Sequence, residues 1–299
     1  MDIKSLTGVI PPMITPFKEN GDVDYDAFLL NLEKWNRSDL CGYLVLGSNS
    51  ETVYLNEREK QKLIELTVTN ARKGRFILAG TGSESTRQTI ELTNHAGAFG
   101  AHAALVLPPY YYISKMTDEV LVTFYTEVAD NADIPILIYN VSKFTHIEIS
   151  AQVIGELSRH PNIIGMKDSS GNVAQLIGYQ NVTAPDFNLM TGTASIWYPA
   201  LKLGVSAGIM ALANILPNEC IEVRKQFIAG NESAAEELYR RLFPVNTAVT
   251  ATYGIAGLKY AADLLGFKGG YVRKPMLMLI DNEKRALMQI LSEAGVIHF

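Results

Sequence analysis

Eight short runs, apolar at consecutive positions, recur through roughly the first 215 residues: "GVIPPMIT", "CGYLVLG", "RFILAG", "HAALVLP", "IPILIYN", "NIIGMKD", "FNLMTG" and "VSAGIMA". Continuous rather than alternating apolarity marks strands buried on both faces, the condition of a parallel sheet covered by helices. Helix-length stretches separate the runs, and two of them carry start signals. Asn56 with Glu59, and Ser85 with Gln88, have the spacing of capping boxes. Eight strand–helix units predict an α/β fold, a (β/α)8 barrel over residues 1–216. A doubly wound open sheet that binds dinucleotides would show G-x-G-x-x-G after its first strand, where this chain has "TPFKENG". From Pro217 the pattern is helical only, so residues 217–299 are expected to form a C-terminal helical extension that includes the last barrel helix. No Gly-, Ser- or Pro-rich linker sets it apart as an independent domain.

The net charge of −5 is spread along the chain with no basic block, which argues against a nucleic-acid or membrane-surface partner. The opening "MDIKSLTGVIPPMITPF" has neither a signal-peptide core nor an arginine-rich amphipathic pattern, and no apolar run is long enough to span a bilayer. Cys41 and Cys220 are far apart in apolar surroundings and read as buried thiols of a reducing compartment. A cytoplasmic enzyme is expected. The five histidines, His95, His102, His146, His160 and His298, lack zinc spacing and read as structural or surface residues, so no metal site is expected.

Barrel chemistry sits at the C-terminal strand ends. Those ends carry Ser48, Asn49 and Glu51 after the second run, Tyr110 after the fourth, Tyr139 and Asn140 on the fifth, Lys167 and Asp168 on the sixth, and Gly192 after the seventh. One amine among phenols and hydroxyls suits carbonyl chemistry better than metal-assisted hydrolysis. A lysine desolvated in a barrel mouth releases its amine to attack a carbonyl, and the iminium formed is an electron sink for making or breaking a carbon–carbon bond. Lys167 is the candidate, with Tyr139 to move the proton and Ser48 or a second tyrosine as relay. The competing readings are ordinary. Lys167 could pair with Asp168, Ser48 and Asn49 could be turn residues, the tyrosines could plug the mouth, and Glu51 suits a cap or salt bridge better than acid catalysis.

Five motifs in order, "TPF", "GSNSE", "LPPYYY", "YN" and "GMKDSSG", resemble the dihydrodipicolinate synthase and N-acetylneuraminate lyase family of class I pyruvate aldolases over nearly the whole chain. Within it, "GSNSE", "SRHPNIIGMKDSSG", "ALANILP" and "YGIAGLKYAADLLGFKGGYVRKP" look most like 4-hydroxy-2-oxoglutarate aldolases. The resemblance implies that Lys167 forms a Schiff base with pyruvate, that Tyr139 is the acid/base phenol and that Ser48 is its hydroxyl relay. It further implies that Ser48 and Asn49 hold the pyruvyl carboxylate, with Ser169 and Gly192 nearby. Tyr110 would enter a neighbouring subunit's site in a homotetramer built as a dimer of dimers. No cofactor is implied.

One departure bears on the second substrate. In "YNVSKFTH", Phe144 stands where the lysine-pathway synthases carry an arginine for the aldehyde's carboxylate. Either Lys143 takes over that function or the aldehyde has no charged tail there. The leading expectation is cleavage of a 4-hydroxy-2-oxo acid, such as 4-hydroxy-2-oxoglutarate, to pyruvate and an aldehyde such as glyoxylate. The alternatives are the pyruvate–aspartate semialdehyde condensation, a 2-keto-3-deoxy sugar acid aldolase, and, from another class, a non-catalytic pyruvate-binding regulator.

Overall fold

A computed structural model describes residues 6–297. All eight apolar runs contain strands: β1 (Gly8–Ile10), β2 (Gly42–Val45), β3 (Phe76–Gly80), β4 (Ala103–Val106), β5 (Ile136–Asn140), β6 (Ile163–Asp168), β7 (Asn188–Thr191) and β8 (Ala207–Ile209). They form one parallel sheet in the order β1-β8-β7-β6-β5-β4-β3-β2, a (β/α)8 barrel. The seam between β1 and β2 is the thinnest, and the sequence shows why. Pro11 and Pro12 have no N–H to donate, so closure uses carbonyls: Cys41 N donates to Val9 O (3.1 Å), Leu44 N to Pro11 O (3.1 Å), and Met13 N returns one bond to Leu44 O (2.9 Å).

Inside the barrel Ile10, Leu44, Leu78, Leu105, Leu137, Ile164, Met190 and Ile209 are buried against one another, a packed plug below the mouth. Outside, the sheet is covered by α1 (Tyr25–Asn36), α2 (Glu57–Asn70), α3 (Thr86–Ala98), α4 (Asp118–Asp130), a single turn α5 (Ser142–Thr145), α6 (Ala151–Leu157), α7 (Val173–Gln180) and α8 (Trp197–Lys202). The Asn56 box forms in full, Glu59 N donating to Asn56 Oδ1 and Asn56 N to Glu59 Oε2. The Ser85 box forms only by half. Ser85 Oγ accepts from Gln88 N, but the Gln88 amide is drawn away to accept from Ser83 Oγ at 2.6 Å.

Four further helices follow: α9 (Pro217–Ile228), α10 (Glu232–Thr247), α11 (Gly254–Leu264) and α12 (Asp281–Glu293). They form a C-terminal helical extension whose Val245, Leu258, Ala262, Leu287 and Leu291 share one core with Phe17, Trp35 and Tyr43 of the barrel. After α10 the chain widens into a π-helical turn, Ala248–Thr252. Residues 266–280 have no helix and cross the barrel mouth's edge, where Phe17 bridges Tyr271. No helix among the described residues is long and apolar enough to cross a membrane.

Candidate active site

Strand β6 places the lysine by means of an irregularity. Ile136 pairs with Ile163 but Leu137 pairs with Gly165, so one extra residue is taken up on β6 before Tyr139 comes opposite Lys167. In a regular strand Ile164 and Lys167, three positions apart, would face opposite sides. The bulge changes the parity: Ile164 packs in the barrel interior, Met166 in the outer layer, and Lys167 beside the inward-facing Tyr139. Glycine at 165 is required there, because a Cβ would lie 2.2 Å from Asn188 O on the next strand.

Lys167 is 3% exposed and Tyr139 5%. The Lys167 Nζ lies 4.2 Å from the centroid of the Tyr139 ring. Burial alone would raise the Tyr139 phenol, but the Lys167 charge and the Ser48, Ser169 and Lys167 polar groups outweigh it and hold the phenol below the usual tyrosine value. Ser48 Oγ is 3.3 Å from the Tyr139 hydroxyl. The three residues proposed for proton and carbonyl chemistry therefore meet at one place, from β2, β5 and β6.

Ser169 Oγ, which faces the Tyr139 phenol, has no hydrogen bond of normal geometry, and Asn49 Nδ2, next in sequence to Ser48, is likewise buried without a partner. Gly192 adjoins the first. A Cβ on residue 192 would stand 1.9 Å from Ser169 Oγ and 2.9 Å from Lys167 Cε, so its lack of a side chain keeps the space over the amine open. A buried hydroxyl donor next to that space is suited to an anionic oxygen, which would supply an acceptor.

Lys167 does not pair with Asp168. Asp168 turns to the outer face, where it accepts from Asn140 Nδ2 (2.7 Å) and Ser170 Oγ (2.5 Å), and burial pushes its carboxyl up. Asn140 in turn accepts from Ile149 N, and Tyr179 donates to Ile149 O, so the ends of β5 and β6 are fastened from behind.

Two expected residues are placed differently. Tyr110 is half-buried in its own subunit, lining a cavity of about 320 Å3 with Ser48, Glu84, Gln88 and Tyr139. That cavity reaches the site's outer wall but not Lys167. The projecting phenol is the next residue, Tyr111, 74% exposed, while its N–H and that of Tyr110 both donate to Glu84. Lys143, the proposed substitute for an arginine, is occupied: its Nζ donates to Thr250 O of the π turn at 2.8 Å. Phe144 stands beside it, half exposed.

Glu51 has the structural role favoured from the sequence, in a form the sequence did not reveal. It is fully buried in an ion pair with Lys259 of α11 at 2.5 Å. Burial pushes the Lys259 amine down to about 8 and the Glu51 carboxyl up, each opposed by the other's charge. The available signal was a lysine at position 259 among apolar helix positions, between Leu258 and Ala261.

His102 accepts from Ile77 N, His160 bonds Asp130, His95 and His146 are exposed, and His298 lies outside the described residues. Among the described residues no group of three or more His, Cys, Asp or Glu is gathered to hold a metal ion. Cys41 and Cys220 are free thiols, and burial raises both, Cys41 to about 12.

The model of the Dihydrodipicolinate synthetase family matches residues 5–294. The chain belongs to that family. Among curated relatives, the 4-hydroxy-tetrahydrodipicolinate synthase of Methanothrix thermoacetophila is 33% identical over 96% of each chain. That of Roseobacter denitrificans is 33% identical over 97% of each. Among solved structures, the dihydrodipicolinate synthase of Acinetobacter baumannii in complex with pyruvate superposes with a TM-score of 0.92 at 28% identity, covering 98% of this chain and 100% of that one. The enzyme from Aquifex aeolicus gives 0.90 at 30% identity, over 97% and 99%. The dihydrodipicolinate synthetase family is a family of metal-independent class I carbon–carbon lyases, and this chain is one of them. Family membership removes the non-catalytic regulator from the readings.

Proposed function

We propose that the protein forms a Schiff base between Lys167 and pyruvate, and joins the resulting enamine to an aldehyde or releases it from one. The observation that carries this is the meeting of Lys167, Tyr139 and Ser48 in a buried mouth beside the Ser169 hydroxyl. The Tyr139 phenol, its acidity raised by the neighbouring ammonium, gives its proton through Ser48 to solvent, and the phenolate so formed takes a proton from Lys167 and frees the amine. The amine attacks the C2 carbonyl of pyruvate, and water leaves to give the iminium. Tyr139 protonates the departing hydroxyl, and the phenolate this leaves takes a C3 proton, with Ser48 as relay, to make the enamine, whose C3 attacks the aldehyde carbonyl. Tyr139, with Ser48 as relay, returns a proton to the alkoxide, and water releases Lys167. Cleavage is the same sequence reversed. Ser169, Asn49 and the backbone N–H groups of Ser48 and Asn49 hold the carboxylate, in the space that Gly192 leaves open.

For the aldehyde, the relatives' names support condensation of pyruvate with aspartate semialdehyde, the lysine-pathway reaction. A specific observation favours a second reading. In the turn Ser142–Thr145 the Lys143 ammonium is directed to Thr250 O and Phe144 presents a ring in place of an arginine. That surface suits an uncharged hydroxyaldehyde, and so the cleavage of a 2-keto-3-deoxy sugar acid. Cleavage of 4-hydroxy-2-oxoglutarate, expected from the subgroup motifs, finds no support in the relatives' names and would bring a carboxylate to the same apolar surface. The test is a pyruvate-coupled assay with aspartate semialdehyde, glyoxylate and glyceraldehyde. Faster consumption of the semialdehyde supports the first reading, and preference for glyceraldehyde the second. Equal inertness of all three would count against both.

The homotetramer expected from the resemblance is retained as part of this proposal, with one change. Tyr111, which projects, replaces Tyr110 as the phenol offered to a neighbouring subunit.

A further inference from the structure

The turn that carries Ser48 and Asn49 is strained, and the strain is held from outside the barrel. Glu51 has φ +55°, a left-handed conformation that a side chain with a Cβ disfavours. Its N–H donates to Ser48 O at 3.1 Å, closing the 3-10 turn Ser48–Ser50, and its own carbonyl accepts from Tyr54 N at 2.9 Å, opening the next. A change in the Glu51 backbone is therefore transmitted directly to Ser48. Such a conformation persists only when its surroundings over-determine it.

Those surroundings come from the C-terminal extension. One carboxylate oxygen of Glu51 meets Lys259 Nζ at 2.5 Å, and the other accepts from Arg273 N at 2.8 Å. Lys259 Nζ also donates to Tyr271 O and lies 4.4 Å from the Phe17 ring centroid. The Arg273 guanidinium lies 4.4 Å from the same centroid and holds Glu59, Tyr54 O and Gly21 O. Phe17 follows β1, Glu51 follows β2, and Lys259 and Arg273 belong to the extension. A fully buried ion pair is a poor stability device, because desolvation offsets its attraction. What this one does instead is fix the geometry of a turn three residues from its nearest reactive group.

We infer that Glu51 and Lys259 are positioning residues for Ser48: the buried pair locks the turn that keeps the Ser48 hydroxyl beside the Tyr139 phenol, and so governs proton transfer rather than Schiff-base formation. This rests on the aldolase reading of the site. The enamine half-reaction tests it without knowledge of the aldehyde. In D2O, pyruvate bound as the iminium loses a C3 proton and regains deuterium, and proton NMR of its methyl group reads the exchange rate. Borohydride trapping on Lys167 at saturating pyruvate separately reads iminium formation.

Two variants are compared with the wild-type full chain: the charge-neutral double substitution Glu51→Gln with Lys259→Met, and Glu51→Asp, which keeps both charges but shortens the link. In either variant that folds by circular dichroism, trapping should match wild type while exchange falls about ten-fold or more, the scale of a displaced proton relay. Exchange within two-fold of wild type in a folded variant overturns the inference. So does an equal fall in trapping and exchange, or failure of both variants to fold, which would make the pair a stability element. If wild type itself neither traps nor exchanges pyruvate, it is the aldolase reading that fails.

Discussion

Gly192→Ala adds one methyl group and tests whether the open space over Lys167 is functional. The new Cβ would stand 1.9 Å from Ser169 Oγ, 2.9 Å from Ser169 Cα and 2.9 Å from Lys167 Cε. The hydroxyl can rotate away at little cost. The two carbon contacts cannot both be relieved that way, since each falls about 0.6 Å or more short of the ordinary 3.5–4.0 Å separation. The Ser169 backbone is fixed by its N–H on Asn140 O, so the flexible lysine must move. Overpacking of this kind costs roughly 1–3 kcal/mol of stability. An amine displaced by about 1 Å from its attack geometry loses about a hundred-fold in rate, or roughly 2.7 kcal/mol of barrier at 1.36 kcal/mol per decade. The assay is the rate of borohydride trapping with sub-saturating pyruvate, alongside a thermal melt. A folded variant that traps pyruvate at the wild-type rate would refute the reasoning, because the space would then have no bearing on the amine.

Three further outcomes are expected. Because the Tyr139 phenol is held below the usual tyrosine value, the native state loses that proton at a pH where the unfolded chain still binds it. Stability conferred by Tyr139 should therefore rise with pH up to about 10 and fall away as pH drops through the depressed value. Urea denaturation of wild type against Tyr139→Phe at pH 8 and pH 9.5 checks the sign, and a stability difference that shrinks with rising pH contradicts it. Phe144→Arg should raise kcat/KM for aspartate semialdehyde by about 10- to 100-fold, the range of a charge-assisted hydrogen bond of roughly 1.5–3 kcal/mol. No gain would show that the turn after β5 does not face the aldehyde. Prolonged EDTA treatment should leave turnover unchanged, and loss that zinc or magnesium restores would contradict metal-independent chemistry.

The eight strands and the helical extension were legible because burial on both faces leaves a continuous apolar signature, and the strand ends then named Lys167, Tyr139 and Ser48. What stayed hidden depended on geometry that period and composition do not encode. The bulge at Ile164 and Gly165 inverts which β6 side chains face inward, yet "IIGMKD" reads the same with or without it. The Ser85 box formed only by half because Ser83, outside the four-residue motif, competed for the Gln88 side chain. In "YYY" three identical residues have two fates: Tyr110 is half-buried while Tyr111 and Tyr112 project, although Glu84 takes the N–H of both Tyr110 and Tyr111. Lys143 looked available as a cation because its partner, Thr250 O, lies 107 residues away in a π turn with no sequence signature. The Glu51–Lys259 pair joins positions about twice as far apart in the chain.

The central claim is a covalent bond between Lys167 and pyruvate, and the most direct test is sodium borohydride reduction with pyruvate followed by peptide mass spectrometry. The expected result is a reduced pyruvyl adduct on the peptide containing Lys167, absent without pyruvate and absent from folded Lys167→Ala. An unmodified Lys167 in folded protein at saturating pyruvate, or an adduct on another lysine, would contradict it.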